Sequence, residues 1–232
     1  MRNPVRSLLV TILIATVWHA ALPATGRAQA TPGSTRLGRA LDRAVLRVQN
    51  RSDLGNYRGA GFNRDSFDVE AFKGLGKADD STIVGWFTGF NDFIGGVDST
   101  ACGDLTRNDP TGTLLATIPS SMDSAAVERW VKHWETAVAA SFLAAEPPPP
   151  NEEEMMVAMF ALIAKLPDTE ISMNTRPSDK PKKNNPLREC RMMRGFFAEA
   201  LVLEEPTRMT LLRGLALMMD EKKKAKSANV EQ

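Results

Sequence analysis

The stretch Asp79-Asp80-Ser81-Thr82-Ile83-Val84-Gly85-Trp86-Phe87-Thr88-Gly89-Phe90-Asn91-Asp92-Phe93-Ile94-Gly95-Gly96 decides the fold class. Asp79 or Asp80 supplies an N-cap, and apolar residues then recur at helical spacing along two stripes. One is Ile83, Phe87, Phe90 and Ile94; the other is Trp86, Phe90, Phe93 and Val97. Two apolar stripes on one helix predict a central, largely buried element. Its third side is small, with Gly85 and Gly89 a turn apart and Asp92 and Gly96 continuing the row. Each glycine costs about 1 kcal/mol against alanine inside a helix, so the row predicts close approach by another element.

Upstream, Leu37, Leu41, Val45 and Val48 have the period of a helix with arginines on its other side. Residues 50–63, rich in Gly and Asn, predict irregular structure, and a short helix over 66–75 is closed by Gly74 and Gly76. Downstream, 97–119 reads as a long loop containing Asn108-Asp109-Pro110, with 114–118 the one place for a short element. After Pro119, Ser120 or Ser121 is expected to cap a long helix bearing Val127, Trp130, Val131, Trp134 and Val138. The helix continues through Phe142 and Leu143 until Pro147 to Pro150 stop it.

Asn151 caps the next helix, whose first turn, Glu152, Glu153 and Glu154, suits the helix dipole. Its expected apolar face is Met155, Met156, Met159, Phe160, Ile163 and Leu166. A polar loop over 168–186 carries Lys180, Lys182 and Lys183. Two further helices over 187–205 and 207–224, parted by Pro206, have the spacing of an antiparallel packed pair. No stretch sustains a period of two. The expectation is therefore an all-α, irregular bundle of six or seven helices. Its organisation reads as an N-terminal helical part over 31–146 built on the glycine helix, a proline spacer at 147–151, a Met-rich half over 152–221 and a disordered tail at 222–232.

The N-terminus specifies an address. Arg2 and Arg6, an apolar run from Leu8 to Leu22 and the small-residue site Ala28-Gln29-Ala30 form the pattern of a cleaved signal peptide over 1–30. The apolar run is short for a span and is interrupted by Thr11, Thr16 and His19. The expected location is periplasmic or secreted, with no membrane span after cleavage. In an oxidising compartment the two cysteines, Cys102 and Cys190, are expected to pair, with a free buried thiol or a nucleophile as the alternatives. A bridge across so long a loop is worth roughly 4 to 5 kcal/mol in the chain-entropy model.

Charge narrows the partners. The chain of 232 residues has 29 Lys plus Arg against 28 Asp plus Glu; without Arg2, Arg6 and Arg27 the balance is 26 against 28. Such a balance leaves no overall basic footprint for nucleic acid or an anionic membrane.

The catalytic repertoire is thin. His133 is the only histidine once His19 leaves with the signal, which removes multi-histidine zinc sites; it is expected on the exposed, polar side of its helix. Gly74-Leu75-Gly76-Lys77 lacks the spacing of a phosphate loop and reads as helix termination. The residues Asp98, Thr100, Cys102, Asp104 and Asp109 echo a calcium loop but carry Cys at the fifth position and Asp at the twelfth. Most of the 11 methionines fall between Met155 and Met219. Met156 and Met159 share a helical side, which suits Cu(I); packing of an irregular core, or lining of an adaptable groove, is the simpler role. No metal ligand set and no cofactor is expected.

The run Gly85-Trp86-Phe87-Thr88-Gly89-Phe90-Asn91-Asp92, a cysteine-bearing loop and a Trp-Val-x-x-Trp helix together resemble small secreted α-helical proteins of the Tai type, immunity proteins of type VI secretion. A looser likeness is to HdeA, the periplasmic acid-stress chaperone. The resemblance spans residues 79–145. Such families place cysteines near the glycine helix and at the end of the next one, where this chain has Gly85 and Trp134; the proline spacer and later helices lie outside the pattern. The resemblance implies a non-enzymatic binder of another protein, an inhibitor or immunity factor, with Trp86, Asn91 and Asp92 as the residues to test. The alternatives are a stress chaperone with a Met-rich apolar groove and a Cu(I)-handling protein.

Overall fold

The computed structural model describes residues 36–54, 62–97, 99, 102, 122–145, 147–148, 151–166 and 186–230, with Pro186 and residues 220–230 as backbone only. The signal peptide, most of the loop after the glycine helix with its calcium-loop echo and its candidate short element, and the basic run at 180–183 lie outside them. Among the described residues there are seven α-helices and no strand: α1 Arg36–Gln49, α2 Arg64–Leu75, α3 Asp80–Gly96, α4 Ser124–Leu143, α5 Glu152–Ile163, α6 Pro186–Leu201 and α7 Thr207–Val230. A single 3₁₀ turn, Ser52–Leu54, follows α1. The all-α expectation holds.

Helix starts follow local chemistry. Asn63, Asp79, Asp123 and Asn151 each place a side-chain oxygen on a first-turn N–H, which would otherwise have no partner. The cap of α4 is Asp123, not Ser120 or Ser121: its Oδ1 accepts the Ala126 N–H at 2.7 Å. A carboxylate there gains from the helix dipole as well as the hydrogen bond. Backbone helix continues to Val230, through Lys- and Ala-rich residues of high helix propensity.

The core forms around α4, which packs against α1, α2 and α3. Val127, Trp130, Val131, Ala137 and Val138 are its buried face. Three glycines set how closely its neighbours come. A Cβ on Gly74 of α2 would lie 1.8 Å from the Ala137 carbonyl oxygen and 2.5 Å from the Ser141 nitrogen, so here two helix backbones touch. On α3, a Cβ on Gly85 would enter the His133 ring and one on Gly89 the Trp130 ring, both at 2.2 Å. The close approach expected at Gly85 and Gly89 is therefore made by rings. The backbone contact occurs at Gly74, which lies within α2 rather than ending it.

The helices after the proline segment join the same core. Phe197 of α6 stacks on Phe87 with ring centroids 5.9 Å apart and meets Phe90 edge-on at 5.0 Å. Arg194 donates to the Ile94 carbonyl at 2.8 Å and to that of Val97, satisfying groups at the C-terminal end of α3. Arg213 of α7 donates to the carbonyls of Gly76 and Ala78 at 2.8 and 3.2 Å and to Asp80 at 2.6 Å, tying the end of α2 to the start of α3. Cys102 and Cys190 form a disulfide across 88 residues, with a Cα separation of 5.2 Å. The expected α6–α7 pair is only a minor contact: α6 leans mainly on α3, and α7 on α5 and α2.

Three stability outcomes follow. Gly74→Ala should destabilise the oxidised protein by about 3 kcal/mol or prevent folding, because backbone cannot yield as a rotamer can. Gly95→Ala, with nothing within 4 Å of the added carbon, should be neutral or stabilise by up to about 1 kcal/mol. Urea unfolding of both variants checks the contrast. Replacing both cysteines by serine should cost roughly 4 kcal/mol in the same assay.

Candidate functional site

Aromatic rings from α2, α3, α4 and α6 make one buried layer. Trp86 sits at its centre, 3% exposed, with the rings of Phe72, Phe87, Phe90, Trp130 and Trp134 at 5.1 to 6.3 Å. Such pairs add about 0.5–1.5 kcal/mol each beyond area burial. Trp86 is therefore a core residue, and a partner does not reach it in this conformation. Asn91 is half-buried and Asp92 exposed on other sides of α3. The structure does not gather the three expected binding residues into one surface.

His133 departs from expectation. Its ring lies against the bare Cα of Gly85, so it is half-buried rather than exposed. Desolvation holds its pKa below the ordinary imidazole value, with Lys132 acting in the same direction and Asp79 in the opposite one. The missing Cβ creates the seat, and no periodicity in the sequence of α4 reports it. Both cysteines are buried in the disulfide, which ends the free-thiol and nucleophile alternatives. Among the described residues no group of three or more His, Cys, Asp and Glu is placed to hold a metal ion.

The most distinctive surface lies on α5. Every residue from Met155 to Ile163 is apolar, so the sequence alone leaves the inward side undetermined. The structure buries Ala158 and Leu162 and leans Met155 and Met159 on the core. Met156 and Phe160, expected on the inner face, turn outward. With Val157 they form an exposed apolar face, at 41%, 59% and 59% exposure respectively. Its positions 156, 157 and 160 are neighbours on a helix surface. Covering those three side chains is worth roughly 3 kcal/mol. Glu153, also exposed, lies two turns before Phe160 on nearly the same side.

No described helix is long and apolar enough to cross a membrane. No protein-family model matches the chain, and neither does any curated protein or solved structure.

The His133 environment predicts a pH dependence. Because the folded state holds the imidazole pKa below its ordinary value of about 6.5, the unfolded chain binds the proton more readily. Stability contributed by the neutral ring is complete above about pH 6.5 and is lost as pH falls through the folded-state pKa. The melting temperature should thus fall more between pH 7 and pH 5 in the wild type than in His133→Gln; equal slopes would remove the effect.

Proposed function

We propose that this is an extracytoplasmic, non-enzymatic helical protein that binds another protein, with an inhibitor or immunity-type factor as its specific form. The single observation that carries this reading is the α5 face, where Met156, Val157 and Phe160 stand exposed together on one side of a helix in a disulfide-linked scaffold. Contiguous apolar surface of this kind marks interaction sites. The disulfide is compatible with an oxidising periplasmic or secreted location. The resemblance of residues 79–145 to type VI immunity proteins supports the inhibitor form, with the contact moved from Trp86 to α5. Asp92, exposed on α3, remains a peripheral candidate.

A second reading, a stress chaperone, draws on the same face, because Met156 supplies the adaptable thioether suited to varied clients. One experiment separates them. Oxidised protein used as bait in an extracytoplasmic extract should retain one partner in stoichiometric amount, and V157E should lose it. Many weak partners would favour the chaperone. Retention unchanged by V157E and by F160E would reject α5 as the contact surface.

A further inference from the structure

Among the described residues α5 is the helix with the smallest hold on the core. It buries only Ala158 and Leu162 outright, with Met155 and Met159 leaning inward, whereas each of the other six helices buries four residues or more. It lies mainly on α7 and only lightly on α6. The bonds of Arg194 to the end of α3, of Arg213 to the α2–α3 junction, and the Arg43 and Arg47 pairs between α1 and α4 all join other helices. The Cys102–Cys190 bridge fastens α6. Proline bounds α5 on both sides, at 147–150 and at Pro167, so no helix runs from it into a neighbour. Its 12 residues are fewer than an isolated helix needs to persist in water, so docking on α7 is what keeps it helical.

We propose that α5 is a releasable arm, which leaves α7 and unwinds as one unit while the other helices stay folded. Released, it presents all the apolar residues from Met155 to Ile163 instead of the three that stand exposed in the docked state. The surface it fits is an apolar groove of another protein, in which the segment folds again as a helix. The release follows from packing alone; its use in binding rests on the reading of α5 as the contact element. Affinity for such a groove is then reduced in proportion to the fraction of molecules in which α5 is free.

The test is native-state hydrogen exchange of the oxidised protein, in urea from zero to just below the unfolding transition, read for the amides of residues 157–163 and for the middle of α3 and α4. Without urea, α5 should exchange at least about a hundredfold faster than α3 and α4. Its rate should change little with urea, because a local opening exposes little surface, while the rates in α3 and α4 climb. Val131→Ala, in the buried face of α4, should speed exchange in α3 and α4 by about tenfold and leave α5 unchanged, because α5 opens with the body intact. Leu162→Ala should speed exchange in α5 by about a hundredfold. Rates in α5 that match those of α3 and α4, that climb with urea as theirs do, that respond to V131A or that ignore L162A would each overturn the release. Matching rates in a protein whose V157E variant still loses its captured partner would overturn the release alone and leave the functional reading standing.

Discussion

The packing of this protein depends on the absence of three β-carbons. Gly74 lets α2 lie with its backbone against Ala137 and Ser141 of α4, and Gly85 and Gly89 seat the rings of His133 and Trp130 on α3. Removing side-chain atoms from a helix costs intrinsic propensity, about 1 kcal/mol per residue. In return, α4 approaches two neighbours closely enough for the aromatic layer around Trp86 to be continuous, and dense packing of large rings outweighs the local cost.

A second set of interactions holds the later helices to that layer. Arg194 and Arg213 do not serve mainly as surface ion-pair partners; they donate to backbone carbonyls where α3 ends and α2 gives way to α3. These carbonyls have no partner within their own helices, so the guanidinium groups answer an existing deficit. The exposed pairs between α1 and α4, Arg43 with Glu128 and Arg47 with Glu135, have a smaller effect because solvent screens them. With the Cys102–Cys190 bridge beside Arg194, the proline segment becomes a connection within one core.

Function then falls to what the core leaves outside. Phe87, Phe90, Phe197, Trp86, Trp130 and Trp134 are committed to packing, and α5 is held by Ala158 and Leu162 on one narrow side. A helix so apolar and so incompletely covered invites contact from another surface.

Much of this was legible in the sequence because it is local. Helix positions follow from the recurrence of apolar residues, Asp79 and Asn151 announce themselves as caps, and two cysteines in one chain leave a single intramolecular pairing. The candidate site was not legible. Trp86 stood out as a large aromatic residue among glycines, yet neighbours from α2 and α4 enclose it; His133 looked exposed because the seat that buries it belongs to a glycine on another helix. The nine apolar residues of α5 carry no period, so only contact with α7 and the core selects Ala158 and Leu162 as the inner side and leaves Phe160 outside. The sequence by itself determined where helices form and how α3 and α5 begin, since those depend on short-range spacing and composition. The tertiary structure alone decided which glycine admits a backbone, which aromatic residue is enclosed and which side of α5 meets solvent, because each is a property of two elements in contact.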